Sequence, residues 1–272
     1  MLKNKKIGFI GVGNMANAMI NGIIGSKNGV NISNLYLYDI YTEKLNVLAS
    51  KGANVLTSVC DAMDKCDYIV LSVKPQNFPE VLSELKKGKN IGEKLFISIG
   101  AGISTSYISD ALGNVPVVRA LPNTPMLIGL GVSAICKNNM VDNEDFDNVC
   151  SIFKASGNIL KIDEGQMNEI IGVTSSSPAY VFKMIGAICD GAIAQGFAYK
   201  DVFGTVCDMI IGSATLAKES GKTPAELIAV VASKGGTTER AISELDNYKF
   251  DEAIASAMKK CTDRAYELGA KK

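Results

Sequence analysis

The chain has 272 residues and balances 28 Lys and Arg against 28 Asp and Glu, a formal net charge of +0, so the basic footprint of a nucleic-acid binder is missing. Hydrophobic residues make up 47%, enough to core one large domain or two ordinary ones. There is no histidine, which excludes Ser-His-Asp and Cys-His catalysis and His-ligated zinc; no metal site is expected.

The first residues, with Lys3, Lys5 and Lys6 ahead of an apolar stretch, imitate a signal peptide. Asn14, Asn17, Asn21 and several glycines interrupt that stretch, so it reads as strand, turn and helix rather than as a leader or a membrane span. Seven cysteines without Cys-x-x-Cys spacing, among them Cys136, Cys189 and Cys207 in apolar runs, read as reduced core thiols in a cytoplasmic protein.

From residue 6 to about 161 the pattern alternates. Short β-branched runs at 7–10, 35–38, 68–73, 95–99 and 115–120 are separated by helical segments at 14–24, 42–50, 78–87 and 104–111. Apolar strands joined by helices predict a mostly parallel, doubly wound Rossmann sheet covered on both faces. Runs at 132–136 and 158–162, flanking a helix at 143–154, extend it. After Gln166 the strand signal stops, and helices are predicted at 178–195, 199–218 and 253–268, with Pro178 and Pro224 in first turns. The 178–195 segment is apolar on nearly every side, which a hundred-residue helical domain cannot cover by itself, so a second subunit is expected. The division is a dinucleotide-binding domain over 1–162 and a helical dimerisation and substrate-binding domain over 163–272.

Gly11-Val12-Gly13-Asn14-Met15-Ala16 follows the first strand and opens a helix. This is the Gly-x-Gly-x-x-Gly/Ala fingerprint in the context that gives it meaning. Gly11 allows the tight turn, Gly13 leaves room for a pyrophosphate, and the first-turn amides of Asn14 and Met15 face it. Asp39 ends the second strand, where a carboxylate binds the adenosine ribose and repels a 2′-phosphate; NADH is therefore favoured over NADPH. A helix-capping aspartate is the other reading of Asp39, and nearby Lys44 reads as part of the turn into the next helix. Ser72-Val73-Lys74-Pro75 and Ser98-Ile99-Gly100-Ala101-Gly102 close two further strands, where ligands of open parallel sheets bind. Lys74 is a contact for ribose or phosphate, or a plain surface lysine. Arg119 begins a rigid turn through Pro122-Asn123-Thr124-Pro125, whose Asn123 and Thr124 suit a carboxamide or a small polar substrate.

Ser233-Lys234-Gly235-Gly236-Thr237-Thr238 lies between helices. A Gly-Gly pair exposing its amides, with Thr237 or Thr238 capping the next helix and Glu239 in its first turn, makes an anion nest; an ordinary helix connection is the alternative.

With these segments the chain resembles the pyrroline-5-carboxylate reductases essentially end to end. The resemblance is carried by the glycine turn, Val73-Lys74-Pro75, Ala101-Gly102, Arg119 with Pro122-Asn123-Thr124-Pro125, Ser177-Pro178-Ala179-Tyr180 and Gly235-Gly236-Thr237-Thr238. It implies reduction of 1-pyrroline-5-carboxylate to proline with NADPH or NADH, the last step of proline synthesis. It also implies a C-terminal helical homodimer, often assembled as a ring of dimers. Ser233 and the backbone of Gly236 and Thr237 would hold the substrate carboxylate, and Thr238 would lie at the ring nitrogen as the catalytic hydroxyl. A protonated cyclic imine is already electrophilic, and solvent can supply its proton. The enzyme then chiefly holds reactants in register, worth roughly 7–11 kcal/mol, which suits a chain without histidine.

The departures cluster at the substrate side. Ser175-Ser176-Ser177 replaces the usual Gly-Ser-Gly or Gly-Ser-Ser, Lys234 the usual proline, and Lys222-Thr223-Pro224 with Ile228-Ala229 the usual approach to the loop. Two other readings compete. A β-hydroxyacid dehydrogenase has the same layout but wants asparagine four residues after the helix lysine; Lys183 is followed by Ala187. A non-catalytic dinucleotide sensor would keep the turn and lose the chemistry.

Overall fold

In the computed structural model, which describes residues 2–26 and 29–270, the chain divides into two compact units. Met1–Ser176 with Lys260–Lys272 form one, and Ser177–Lys259 the other.

In the first unit β1 (Ile7–Ile10), α1 (Asn14–Gly25), β2 (Leu35–Tyr38), α2 (Asn46–Ser50) and β3 (Asn54–Val55) build one half of a sheet. Then α3 (Asp61–Lys65), β4 (Tyr68–Leu71), α4 (Phe78–Leu85), β5 (Leu95–Ser98), α5 (Thr105–Leu112) and β6 (Val117–Leu121) build the other. β7 (Gly131–Lys137), α6 (Asn143–Lys154) and β8 (Gly157–Lys161) complete eight strands in the order β3-β2-β1-β4-β5-β6-β7-β8. Every pairing is parallel except β6 with β7, which aligns Arg119 with Cys136.

The strands read as unbroken apolar runs because both faces are covered. Along β4, Tyr68 and Val70 join one core with Phe9, Leu37, Ile97 and residues of α1 and α6. Ile69 and Leu71 join the other with Phe96 and residues of α3, α4 and α5. Period-two alternation thus sends apolar side chains both ways.

Differences from the sequence expectation are local. The helix expected over 42–50 is a 3-10 turn at Thr42–Leu45 followed by a short α2. The two-residue β3 and five-residue α3 are too short to leave a periodic signal. α3 is set by Thr57, Ser58 and Asp61. Thr57 donates its N–H (2.9 Å) and hydroxyl (2.5 Å) to the Asp61 carboxylate, and the Ser58 hydroxyl accepts from the Asp61 N–H at 3.2 Å.

The second unit is helical: α7 (Ser177–Ala194), α8 (Tyr199–Glu219), α9 (Pro224–Val231), α10 (Thr237–Asn247) and the start of α11 (Phe250–Ala270), whose last turns belong to the first unit. Pro224 opens α9 behind a full capping box between Thr223 and Glu226. Within this chain α7 buries only Cys189, and Phe182, Ile188 and Ile193 stay exposed. None of the described helices is long and apolar enough to cross a membrane.

Candidate active site

Strand order reverses at β1, whose chain successor β2 lies on one side while β4 lies on the other. A crevice therefore opens beyond the carboxyl ends of β1 and β4. It is a groove of about 510 Å³ that brings together Gly11, Gly13, Asp39, Ser72, Val73 and Lys74.

Each glycine has its own reason. Gly11 adopts φ +92°, and an added Cβ would press on the Ser72 backbone at 3.0 Å. Gly13 has an ordinary φ of −84° and is the N-cap of α1 without any side-chain cap bond; an added Cβ would meet nothing within 4 Å. The amides at the start of α1 therefore look into open space bounded by a residue without a side chain, which fits a pyrophosphate. The Ser72 hydroxyl braces the turn by reaching the Gly11 carbonyl at 2.6 Å and that of Ile10 at 3.1 Å.

Asp39 is tied into the same turn. Its Oδ2 accepts the Val12 N–H at 2.8 Å, its Oδ1 the Tyr41 N–H at 2.9 Å, and the Lys44 ammonium stands 3.6 Å away. Lys44 also lies over the Tyr41 ring, 4.4 Å from its centroid. Tyr41 and Lys44 line the groove beside Asp39, so an aromatic face and a cation border the groove next to this carboxylate. Tyr41 was not read from the sequence, although an aromatic two residues past a strand-ending acid is the available signal.

Asn14 and Met15 stand in the first turn of α1, and Pro75 opens a 3-10 turn after Lys74; none of the three lines the groove. Nor do Asn123 and Thr124. The Asn123 side chain is buried and committed, donating to the Thr174 carbonyl at 2.9 Å and accepting the Val132 N–H at 2.9 Å, while Thr124 is exposed. Asn123 thus pins the reversal between β6 and β7.

Arg119, only 3% exposed, is likewise part of the scaffold. It pairs with Glu164 at 2.8 Å and donates to the Asn168 amide oxygen at 2.9 Å. The other Glu164 oxygen accepts from the Cys136 thiol at 3.2 Å, and burial together with that carboxylate raises the thiol's pKa well above its ordinary value. A second cavity of about 480 Å³ borders this network, lined in part by Ser104, Ser106, Asp110, Arg119 and Asn168.

In the helical unit, residues 232–236 turn from α9 into α10. Gly235 takes φ +72°, and a Cβ on Gly236 would fall 2.6 Å from the Ser233 hydroxyl, so this turn needs its glycines. Two expectations are corrected here. Neither Thr237 nor Thr238 caps α10: its N-cap is Gly236, with no side-chain cap bond, and the threonines are its first two residues. The Gly-Gly amides are not free either. Gly236 donates to the Ser233 carbonyl at 2.9 Å, and Gly235 donates to the Glu239 carboxylate at 2.7 Å. Glu239 sits one helical turn on and reaches back, a contact that the presence of an acid in the first turn only hinted at. The amides of Thr237 and Thr238 lie ahead of the ladder bond from Arg240 to Gly236, among the first-turn donors that a helix leaves without an intrahelical partner.

Residues 164–268 match the family described as pyrroline-5-carboxylate reductase dimerisation, and residues 6–102 match that described as NADP oxidoreductase, coenzyme F420-dependent. The chain is 35% identical to a pyrroline-5-carboxylate reductase of Escherichia coli strain K12, over 97% of this chain and 98% of the other. It is also 35% identical to one from Methanosarcina acetivorans, over 99% and 100% of the two chains. Among solved structures, the NADP-bound pyrroline carboxylate reductase of Plasmodium falciparum superposes with a TM-score of 0.89 at 27% identity, covering 98% and 99%.

Proposed function

Because the chain belongs to the pyrroline-5-carboxylate reductase family, we propose that it reduces 1-pyrroline-5-carboxylate to L-proline with a nicotinamide dinucleotide. The observation that carries this reading is the 35% identity to a pyrroline-5-carboxylate reductase over 97% of this chain and 98% of the other, joined in this chain to a glycine turn shaped for pyrophosphate.

The dinucleotide supplies a hydride when bound. Gly11, Gly13 and the first-turn amides of Asn14 and Met15 would hold its pyrophosphate, and Asp39 its ribose hydroxyls, with Ser72, Val73 and Lys74 along the same groove and Pro75 turning the chain behind them. Asn123 and Thr124 would border the nicotinamide end, Asn123 by fixing the turn that carries Thr124. The Ser233 hydroxyl with the backbone of the Gly235-Gly236-Thr237 turn would hold the substrate carboxylate, and Thr238 would steady the ring nitrogen. Hydride addition to the ring carbon of the protonated imine gives the amine of proline, so no strong general acid is required of the protein. Residues 1–162 carry the nucleotide role and residues 163–272 the substrate and dimerisation roles. The helices would pair two subunits, with a ring of dimers as a further assembly, in the cytoplasm where reduced nucleotide and reduced thiols coexist.

Asp39 favours NADH, because a 2′-phosphate beside its carboxylate is repelled. The deciding experiment is a reductase assay with 1-pyrroline-5-carboxylate and each nucleotide. Turnover with higher kcat/KM for NADH is expected. A clearly higher value with NADPH would assign the 2′-phosphate to Lys44 instead, and no turnover with either would leave a dinucleotide-binding protein without this activity.

A further inference from the structure

We propose that Glu239 is a built-in competitor for the substrate's carboxylate, an acid of the chain's own seated on the turn that receives the substrate. The inference rests on the reading that the Ser233 to Thr238 turn holds that carboxylate.

The Glu239 Oε2 lies 2.7 Å from the Gly235 nitrogen, the length of a charge-assisted bond. In a reciprocal capping box the N-cap side chain would return a bond, but the N-cap here is Gly236, which has none. Among the described residues, Glu239 is therefore the side chain that hydrogen-bonds an amide of this loop. It does so with the same functional group that the substrate carries, at the helix end where negative charge is most favoured. The cradle is held in its binding shape by an internal ligand: Gly235 stays at φ +72° and Gly236 stays pressed on Ser233.

One N–H makes one strong hydrogen bond, and two carboxylates gathered on one turn repel each other. Substrate binding therefore has to displace Glu239. The side chain is exposed and free to swing, and Lys234 and Arg240 flank the segment in sequence as cations that can receive it. The consequence is a KM for the imine set by exchange of one carboxylate for another, with the nucleotide site unaffected because it is built from other residues. Ligands of this ring size without a carboxylate would not displace Glu239 and would be rejected.

The test uses the full-length protein with Glu239→Ala, Glu239→Gln and, as a control, Ser233→Ala. KM for 1-pyrroline-5-carboxylate is measured at saturating nucleotide, and the Gly235 amide resonance is followed during titration with L-proline. Removing the competitor should lower KM and the Kd of proline about three- to tenfold in Glu239→Ala, and less in Glu239→Gln, whose neutral oxygen still accepts. KM for the nucleotide should not move. The Gly235 resonance should shift in the ligand-free Glu239→Ala protein and move back as proline is added. An imine KM that is unchanged or higher in both Glu239 variants, while Ser233→Ala raises it, would overturn the competition and leave Glu239 as a brace. Should Ser233→Ala also leave KM unchanged and proline fail to move the Gly235 resonance, the turn would not be the carboxylate site, and the underlying reading would fall instead.

Discussion

At the scale of single residues, Gly13 separates binding from folding. Its backbone is ordinary, an added Cβ meets nothing, and aspartate is a better N-cap than glycine. Gly13→Asp should therefore keep or slightly raise the melting temperature while abolishing dinucleotide binding, since the side chain enters the pyrophosphate space with a like charge. Calorimetric titration with NADH alongside thermal unfolding checks both halves, and unchanged affinity would remove the nucleotide assignment. Thr238 invites a similar split. Because Gly236 is the cap of α10, Thr238→Ala removes no capping bond and should not cost the roughly 1 kcal/mol that a lost cap would. It should instead lower kcat by about tenfold or more with little change in NADH binding, as expected of a bond formed mainly in the transition state. Ser233→Ala should raise KM for the imine. Full kcat in Thr238→Ala would leave solvent alone at the ring nitrogen.

At the scale of elements, the short α3 is anchored by the buried Ala62 and Met63 and by hydrogen bonds at its N-terminal end. The hydroxyl and backbone N–H of Thr57 hold the Asp61 carboxyl down to a pKa of about 2, from an ordinary value of 3.8. A lowered carboxyl pKa stabilises the fold where the group is ionised in both states, and that stabilisation is lost as pH falls through the interval between the two values. Asp61→Asn should therefore cost about 1 kcal/mol at neutral pH, after discounting for a side chain that is partly in water. The difference from the parent protein should shrink between pH 4 and about 2. Urea unfolding of both proteins at pH 7 and pH 3 measures this, and a pH-independent difference would place the effect in packing rather than in the charge. The strands behave differently: β1, β4 and β5 owe their stability to cores on both sides, so their identity is set by burial rather than by end groups.

At the scale of the molecule, the helical unit exposes Phe182, Ile188 and Ile193 on α7, Phe203 and Ile211 on α8, and Val230 and Val231 on α9. Apolar surface on this scale marks a contact face, and obligate dimers commonly bury about 2,000 Å² or more in total. With the dimerisation family matched over residues 164–268, the expected state is a dimer at micromolar concentration by sedimentation equilibrium. Phe182→Lys should shift that equilibrium towards monomer. A well-folded monomer of the unsubstituted chain at dilute concentration would refute the assignment of this face.

The sequence by itself determined the features that local chemistry dictates. Ile7–Ile10, Leu35–Tyr38 and Asn143–Lys154 fall where their patterns end, because strand runs and a helix bounded by Asp142 are short-range signals. The glycine turn, Asp39 and the 72–74 segment were legible for the same reason, since the turn's backbone demands are written in adjacent residues. The antiparallel reversal at β7 was not, because a strand's direction is set by which neighbour it pairs with and apolar content carries no sign. Nor were the ties of Asn123 to Thr174 and of Arg119 to Glu164, which join residues 51 and 45 positions apart. Asn123 offers an amide group in the sequence, and only the fold shows that group bonded to buried backbone, as only the fold shows Arg119 paired with a carboxylate. The Gly235 to Glu239 bond spans only four positions, yet it too was decided by the folded chain: a nest of amides takes the nearest anion, and only the three-dimensional turn shows that the nearest one is internal.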